Sequence, residues 1–182
     1  IFKTSKKRQE KIIVNNSLSY GLLGEHLGHS YSSEIHKFLG GYDYGLFEVK
    51  KDYLKDFLKR DQLKGLNVTM PHKINVLPYM DGLSYEAKKI GAVNTIKFKN
   101  GRLYGYNTDY YGVKKMILRK NIQIKNKKVL VLGTGATSQT VTAVLEDFKA
   151  KTIDYVSRKG PIDYENMYDL EGIEVIVNTT PV

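Results

Sequence analysis

Ser30 and Ser32 stand two residues apart in the run Gly28-His29-Ser30-Tyr31-Ser32, immediately ahead of an expected helix. Paired hydroxyls beside the free N–H groups of a helix start suit a carboxylate, although Ser also caps helices routinely. Thr69-Met70-Pro71-His72-Lys73 closes a strand, and on local grounds Lys73 is equally a catalyst or a surface residue. Asn94 opens a strand after Gly91-Ala92-Val93. Asp109 opens a helix in Asn107-Thr108-Asp109, where an acidic residue is ordinary in the first turn. His26 and His29 form the closest histidine pair, but no carboxylate spacing matches a metal motif, so no metal site is expected.

A second kind of chemistry lies further along. The apolar run Val129-Leu130-Val131-Leu132 enters Gly133-Thr134-Gly135-Ala136-Thr137-Ser138, which opens an amphipathic helix. A tight turn there needs one glycine and backbone approach to a pyrophosphate needs another, while the helix start supplies N–H groups. Ser138 occupies the third glycine position of the dinucleotide fingerprint. The next strand ends in Ser157-Arg158-Lys159. Asp154 lies inside that strand rather than at its tip, so the tip offers cations and a hydroxyl instead of an acidic acceptor for a ribose diol. This favours NADP over NAD.

These residues need elements to hold them, and the hydrophobic pattern alternates strand and helix as in an α/β protein. SYGLLG (19–24) predicts a strand, and SSEIHKFLG (32–40) a helix with Ile35, Phe38 and Leu39 on one face and Gly40-Gly41 as its stop. YGLFEV (44–49) predicts a strand, DYLKDFLKR (52–60) a helix burying Tyr53, Leu54, Phe57 and Leu58, and LNVTM (66–70) a third strand. A short helix around Ser84–Ile90 precedes VNTIKF and RLYGYN, joined by Asn100-Gly101. Asn-Gly between two β-rich runs predicts a hairpin, since both residues accept positive φ. Thr108 is placed to cap a helix carrying Val113, Met116 and Ile117. The polar run RKNIQIKNKK (119–128) then predicts a domain boundary. Beyond it come VLVLG, a helix with Val141, Val144, Leu145 and Phe148 at i, i+3, i+4, i+7, and the strands TIDYVS and EVIVN. The expectation is two α/β domains in series. Residues 1–120 form the first, with a flexible polar extension over 1–16, and residues 121–182 the second.

With 41% hydrophobic and 26% charged residues, the chain has the balance of a soluble globular protein. No apolar run is long enough to span a membrane, and no signal-peptide pattern is present. Cys is absent, which excludes disulfides and thiolate chemistry and fits a reducing cytoplasm. The formal charge of +10 is spread along the chain, densest at Lys6-Lys7-Arg8. That distribution reads as a solvated lysine-rich surface that attracts anionic small ligands, rather than a nucleic-acid face.

Taken together the clusters resemble the shikimate dehydrogenase family. GLLG (21–24), GHSYS (28–32), NVTMPHK (67–73), GAVNT (91–95), GYNTDYYG (105–112), VLGTG (131–135), VSR (156–158) and VNTTP (177–181) occur in that family's order and approximate spacing. The resemblance implies a substrate-binding three-layer domain followed by an NADP-binding Rossmann domain. The implied reaction is NADPH-dependent reduction of 3-dehydroshikimate to shikimate, in a cytoplasmic monomer or homodimer with no nucleic-acid or membrane partner. Ser30 and Ser32 would bind the substrate carboxylate, and Thr69, Asn94 and Asp109 the ring hydroxyls. Lys73 and Asp109 would form the catalytic pair. Gly133, Thr134, Gly135, Ala136, Thr137 and Ser138 would hold the pyrophosphate, Ser157, Arg158 and Lys159 the 2′-phosphate, with Thr179 and Thr180 near the cofactor.

The sequence also departs from the family pattern. Ser33 replaces a usual Pro, His26-Leu27 a Pro-Ile, Ala136 a Gly, and Ser157-Arg158-Lys159 an Asn-Arg-Thr. The segment between the last two motifs is short, which suggests a compact loop. The family continues beyond NTTP, so the resemblance implies a C-terminally incomplete Rossmann domain. Rival readings are a quinate/shikimate dehydrogenase using NAD, a methylenetetrahydrofolate dehydrogenase, whose pattern lacks the Ser-x-Ser and NTD motifs, and a non-catalytic basic module.

Overall fold

The computed structural model describes residues 18–28 and 30–180. The extension expected over residues 1–16, the partner of His26 at position 29, and the last two residues lie outside that span. The chain divides into two compact units, one ending at Asn107 and the other beginning at Thr108.

In the first unit, short apolar strands alternate with helices because Gly and polar residues interrupt the apolar runs every few residues. The elements are β1 (Tyr20–Gly24), α1 (Ser32–Gly40), β2 (Gly45–Glu48), α2 (Leu54–Leu58), β3 (Gly65–Val68), α3 (His72–Asn75), β4 (Gly82–Leu83), α4 (Tyr85–Ile90), β5 (Thr95–Lys99) and β6 (Arg102–Tyr106). Six strands form one sheet in the order β2-β1-β3-β5-β6-β4. β1 runs parallel to both β2 and β3, while β5 is antiparallel to β3 and β6. Asn100 (φ 52°) and Gly101 (φ 71°) turn the β5–β6 hairpin with both residues left-handed, as the Asn-Gly pair predicts. Leu23, Phe47, Leu54, Phe57, Leu66, Val68, Val76, Val93 and Ile96 form the core.

Two helices behave differently from their apolar patterns. No residue of α1 is buried: Ile35, Phe38 and Leu39 are all exposed, Phe38 at 90%. The helix docks through the opposite side, where Ser33 Oγ donates to the Tyr44 carbonyl (3.2 Å) and the His36 ring stacks on Tyr44 with centroids 3.9 Å apart. Three-residue spacing puts Ser33 and His36 on one face, and polar contacts there set the helix orientation. Of the residues expected to be buried around α2, Leu54, Phe57 and Leu58 are, but Tyr53 is exposed because the segment starts as a 3₁₀ turn over Lys51–Tyr53.

The second unit contains α5 (Asp109–Arg119), β7 (Lys128–Leu132), α6 (Ala136–Asp147), β8 (Thr152–Val156) and β9 (Val175–Asn178). Its three strands are parallel, in the order β8-β7-β9. Val129, Val131, Val144, Leu145 and Val156 are fully buried between sheet and helix. Lys127 Nζ donates to Glu174 (2.6 Å) and the Lys128 N–H to its other oxygen (3.2 Å), clipping the start of β9 to β7. These bonds hold the Glu174 carboxyl below the usual carboxylate range.

α5 packs on α6, and the Tyr110 hydroxyl donates to Asp147. The polar run after α5 is a packed turn rather than a linker: Ile124 is buried within it, and the Ile122 N–H reaches the Ile117 carbonyl. This is why the compact units divide before α5 and not after it. Thr108 sits at the N-cap of α5 with helical φ and ψ and makes no side-chain capping bond. Met116 is exposed, the buried face being Tyr110 and Ile117.

Candidate active site

The polar residues of the first unit converge because β3 and β5 run in opposite directions. The carboxyl end of β3 therefore meets the start of β5, with Asn67 opposite Thr95. The Val68 N–H donates to the Asn94 carbonyl (2.7 Å), and the Thr69 N–H to Leu23 (2.9 Å). Past the cis Met70–Pro71 bond the chain enters α3, and the Lys73 carbonyl accepts from the Val93 N–H (2.8 Å). Thr69, Lys73 and Asn94 are thus tied by backbone bonds to one end of the sheet. Asn94 is buried, while Thr69 and Lys73 are half-buried.

His72 explains how Lys73 keeps its place. Its ring is fully buried, with Nε2 2.6 Å from the Val49 carbonyl, which accepts only if Nε2 carries the proton. Nδ1 is then the acceptor for Asn75 Nδ2 at 3.4 Å. The imidazole clamps the start of α3 to the strand-end residue Val49, one position before Lys73.

Ser30 and Ser32 are half-buried and interlocked. Ser30 Oγ donates to Ser32 Oγ (3.0 Å) and accepts from the Ser32 N–H (3.2 Å). The N-cap residue Tyr31 makes no side-chain capping bond; Ser30 Oγ instead accepts from the first helical N–H while the two hydroxyls pair with each other. The loop before them is anchored by the Leu27 N–H to Glu48 (2.8 Å). Asn107 is buried, its Nδ2 donating to the Ala92 carbonyl (3.0 Å), while its Oδ1 has no partner among the described residues.

In the second unit the candidate cofactor residues follow the carboxyl ends of the three parallel strands. Gly133 comes after β7, Ser157 after β8 and Thr179 after β9. The chain passes from β7 to β8 on one side, then crosses to β9 on the other. Such a reversal of strand order opens a crevice at the carboxyl ends, where open α/β sheets bind ligands. Gly133 has φ +102°, and a Cβ there would lie 2.9 Å from Thr179 Oγ1 and 3.1 Å from Thr180 Cγ2. Thr179 Oγ1 itself donates to the Leu132 carbonyl (2.7 Å). Gly135, by contrast, has nothing within 4 Å of a notional Cβ, leaving its backbone open to a bound group.

The loop ends at α6, a twelve-residue helix whose first residue is Ala136. Thr134 and Thr137 are exposed. Ser138 is buried, filling with a small side chain the position where the fingerprint's third glycine lets helix approach strand. Arg158 and Lys159 are exposed in the turn after β8, and Ser157 is held there by its N–H to the Ile162 carbonyl (3.0 Å). Asp109 is the exposed first residue of α5, three positions beyond the end of β6. Among the described residues, no group of three or more His, Cys, Asp or Glu is placed to hold a metal. No described helix is long and apolar enough to cross a membrane.

Comparison with known proteins places the chain in a family. A family model described as the shikimate dehydrogenase substrate binding domain matches residues 22–96. The chain is 43% identical to the shikimate dehydrogenase (NADP(+)) of Clostridium perfringens, over 89% of this chain and 68% of that protein. The chain belongs to the shikimate dehydrogenase family. Among solved structures, shikimate dehydrogenase 1 from Peptoclostridium difficile superposes with a TM-score of 0.79 at 36% identity, over 90% of this chain and 67% of that one. The Thermus thermophilus shikimate 5-dehydrogenase, solved with NADP(H) and shikimate, gives 0.72 at 28% identity, over 88% and 67%. The two-domain α/β fold expected of the family is the one observed.

His36, Tyr44 and Asn67 form a further polar group in the first unit, beyond the residues that the motifs single out. Tyr44 OH donates to Asn67 Oδ1 (2.7 Å), and burial, with Tyr42 nearby, pushes the Tyr44 phenol above its ordinary range. Only the Asn of NVTMPHK carried a signal, as the polar start of a motif whose strand is otherwise apolar.

Proposed function

We propose that the protein reduces 3-dehydroshikimate to shikimate with NADPH, reversibly, in aromatic amino acid biosynthesis, as a monomer or homodimer in the cytoplasm. The observation that carries the reading is the pair of backbone bonds, Val68 N–H to Asn94 and Val93 N–H to Lys73, that bring Thr69, Lys73 and Asn94 to one end of a sheet. NADPH, when bound, supplies the hydride. The ketone oxygen then gains negative charge, and the Lys73 ammonium donates a proton to it as that charge develops. Asp109, the second member of the family's catalytic pair, shares the substrate hydroxyl. Thr69 and Asn94 hold the ring hydroxyls. Ser30 and Ser32 exchange their mutual hydrogen bond for the substrate carboxylate, a charge-assisted contact.

The second unit fits the cofactor. Gly133 makes a turn that a side chain would block, Gly135 leaves the backbone open, and the α6 N-terminus offers N–H groups to a pyrophosphate. Arg158 and Lys159, exposed beside Ser157, suit a 2′-phosphate. The test is a spectrophotometric assay of the full-length protein with shikimate and quinate, each with NADP and NAD. NADP reduction dependent on shikimate is the expected result. No turnover with shikimate would overturn the proposal, and NAD-linked oxidation of quinate at comparable efficiency would replace it with a quinate/shikimate dehydrogenase.

A further inference from the structure

Asn94 takes part in a hydrogen-bonded chain that begins far from it in sequence. Tyr44 OH donates to Asn67 Oδ1 at 2.7 Å. Asn67 Nδ2 donates to Thr95 Oγ1 at 3.4 Å, and Thr95 Oγ1 donates to Asn94 Oδ1 at 3.0 Å. Tyr44 is itself held from α1, by the stacked His36 ring and by Ser33 Oγ on its carbonyl. His36 is fixed in turn by its Nδ1, 2.6 Å from Tyr42 OH.

The chain has a direction, and the Tyr44 proton is consistent with only one. A carboxamide can face either way, so Asn67 and Asn94 each have two orientations. If Asn67 flipped, its Nδ2 would point at Tyr44 and leave the tyrosine proton without that acceptor. Thr95 would then have to donate to Asn67, and Asn94 would have to turn its amino group toward Thr95. Donation by Tyr44 selects the opposite arrangement throughout. The 2.7 Å bond from Tyr44 OH to Asn67 Oδ1 supplies that donor, and burial pushes the phenol above its ordinary range.

We propose that Tyr44 is a positioning residue: through Asn67 and Thr95 it fixes which end of the Asn94 amide donates and which accepts, and so sets the hydroxyl pattern that Asn94 recognises. The inference rests on the proposed role of Asn94 toward a ring hydroxyl. It also couples α1, whose N-terminus carries Ser30 and Ser32, to the strand that carries Asn94.

Tyr44→Phe keeps the ring that stacks on His36 and removes only the hydroxyl. In the full-length protein it should raise KM for shikimate roughly 2- to 13-fold, the net worth of one neutral hydrogen bond, while KM for NADP stays unchanged. Thr95→Val should do the same and Thr95→Ser should largely restore wild-type behaviour. In an Asn94→Ala background, Tyr44→Phe should add nothing, which a merely structural role would not produce. Unchanged KM in both Tyr44→Phe and Thr95→Val, or an equal rise with and without Asn94, would overturn the proposal. If the wild type showed no shikimate-dependent turnover, the functional reading would fall instead. The amide chain would then be judged by side-chain NMR, where Asn67 and Asn94 resonances must shift in Tyr44→Phe for it to stand.

Discussion

Replacing Gly133 by Ala tests whether the turn after β7 is built for a ligand or merely tolerates one. At φ +102° an L side chain is strained, at a cost of about 1–3 kcal/mol. The new Cβ would also press on Thr179 Oγ1 at 2.9 Å and Thr180 Cγ2 at 3.1 Å. Moving Thr179 breaks its bond to the Leu132 carbonyl, worth about another 1 kcal/mol. The sum is a destabilisation of about 2–4 kcal/mol, read in urea as a lower midpoint with an unchanged slope. Because the loop must shift to relieve the contact, NADPH affinity should also drop at least about tenfold, or about 1.4 kcal/mol. Gly135→Ala is the matched control, since that residue has nothing within 4 Å of a Cβ and no strained φ. It should leave stability within about 1 kcal/mol, yet weaken NADPH binding by standing where the pyrophosphate approaches. Wild-type stability in Gly133→Ala would refute the packing argument. Equal destabilisation by Gly135→Ala would show that the loop is not open at that point.

Three further outcomes follow from the site. Lys73→Ala should lower kcat by about 10²–10⁴-fold with an unchanged urea midpoint, and near-normal turnover would remove Lys73 from the chemistry. Replacing both Ser30 and Ser32 by Ala should raise KM for shikimate sharply, each charge-assisted bond being worth about 1.5–3 kcal/mol; shikimate amide binding the wild type as well as shikimate does would contradict the carboxylate assignment. Arg158→Ala should weaken NADP by about 10- to 150-fold and leave NAD unaffected, which steady-state kinetics with both cofactors on both proteins would decide.

Strand and helix positions were largely legible, because Gly, Pro and Asn-Gly punctuate apolar runs whose periods differ. β4 was not, since two residues carry no period and Gly82–Leu83 is a strand only through pairing with β6. The apolar stripe of α1 suggested burial, but Ser33 and His36 found polar partners on Tyr44, and the helix turned that side inward. The boundary after α5 looked like a linker by composition, and the buried Ile124 could not be weighed without knowing what it packs on. Individual site residues stood out where motifs are contiguous, as in NVTMPHK. The route from Tyr44 to Asn94 joins residues 23 and 28 positions apart, and nothing local announces a pairing that only the antiparallel meeting of β3 and β5 creates.

The place of the β5–β6 hairpin in the sheet bears on how the first unit reaches its native state. Its two strands are joined by a two-residue turn, yet they occupy interior positions of the six-stranded sheet, between β3 and β4. A hairpin closes on the microsecond scale, whereas the parallel β1–β2 and β1–β3 pairings must wait for longer loops to close. The segment that forms fastest therefore offers an edge on each side, to β3 and to β4, and serves as the template on which the slower pairings register. Residues in such a nucleus govern the folding rate more than the unfolding rate. Asn100→Ala and Gly101→Ala, which oppose left-handed backbone at the turn, should accordingly act on the folding limb of a chevron plot, leaving the rate of escape from the native state almost untouched.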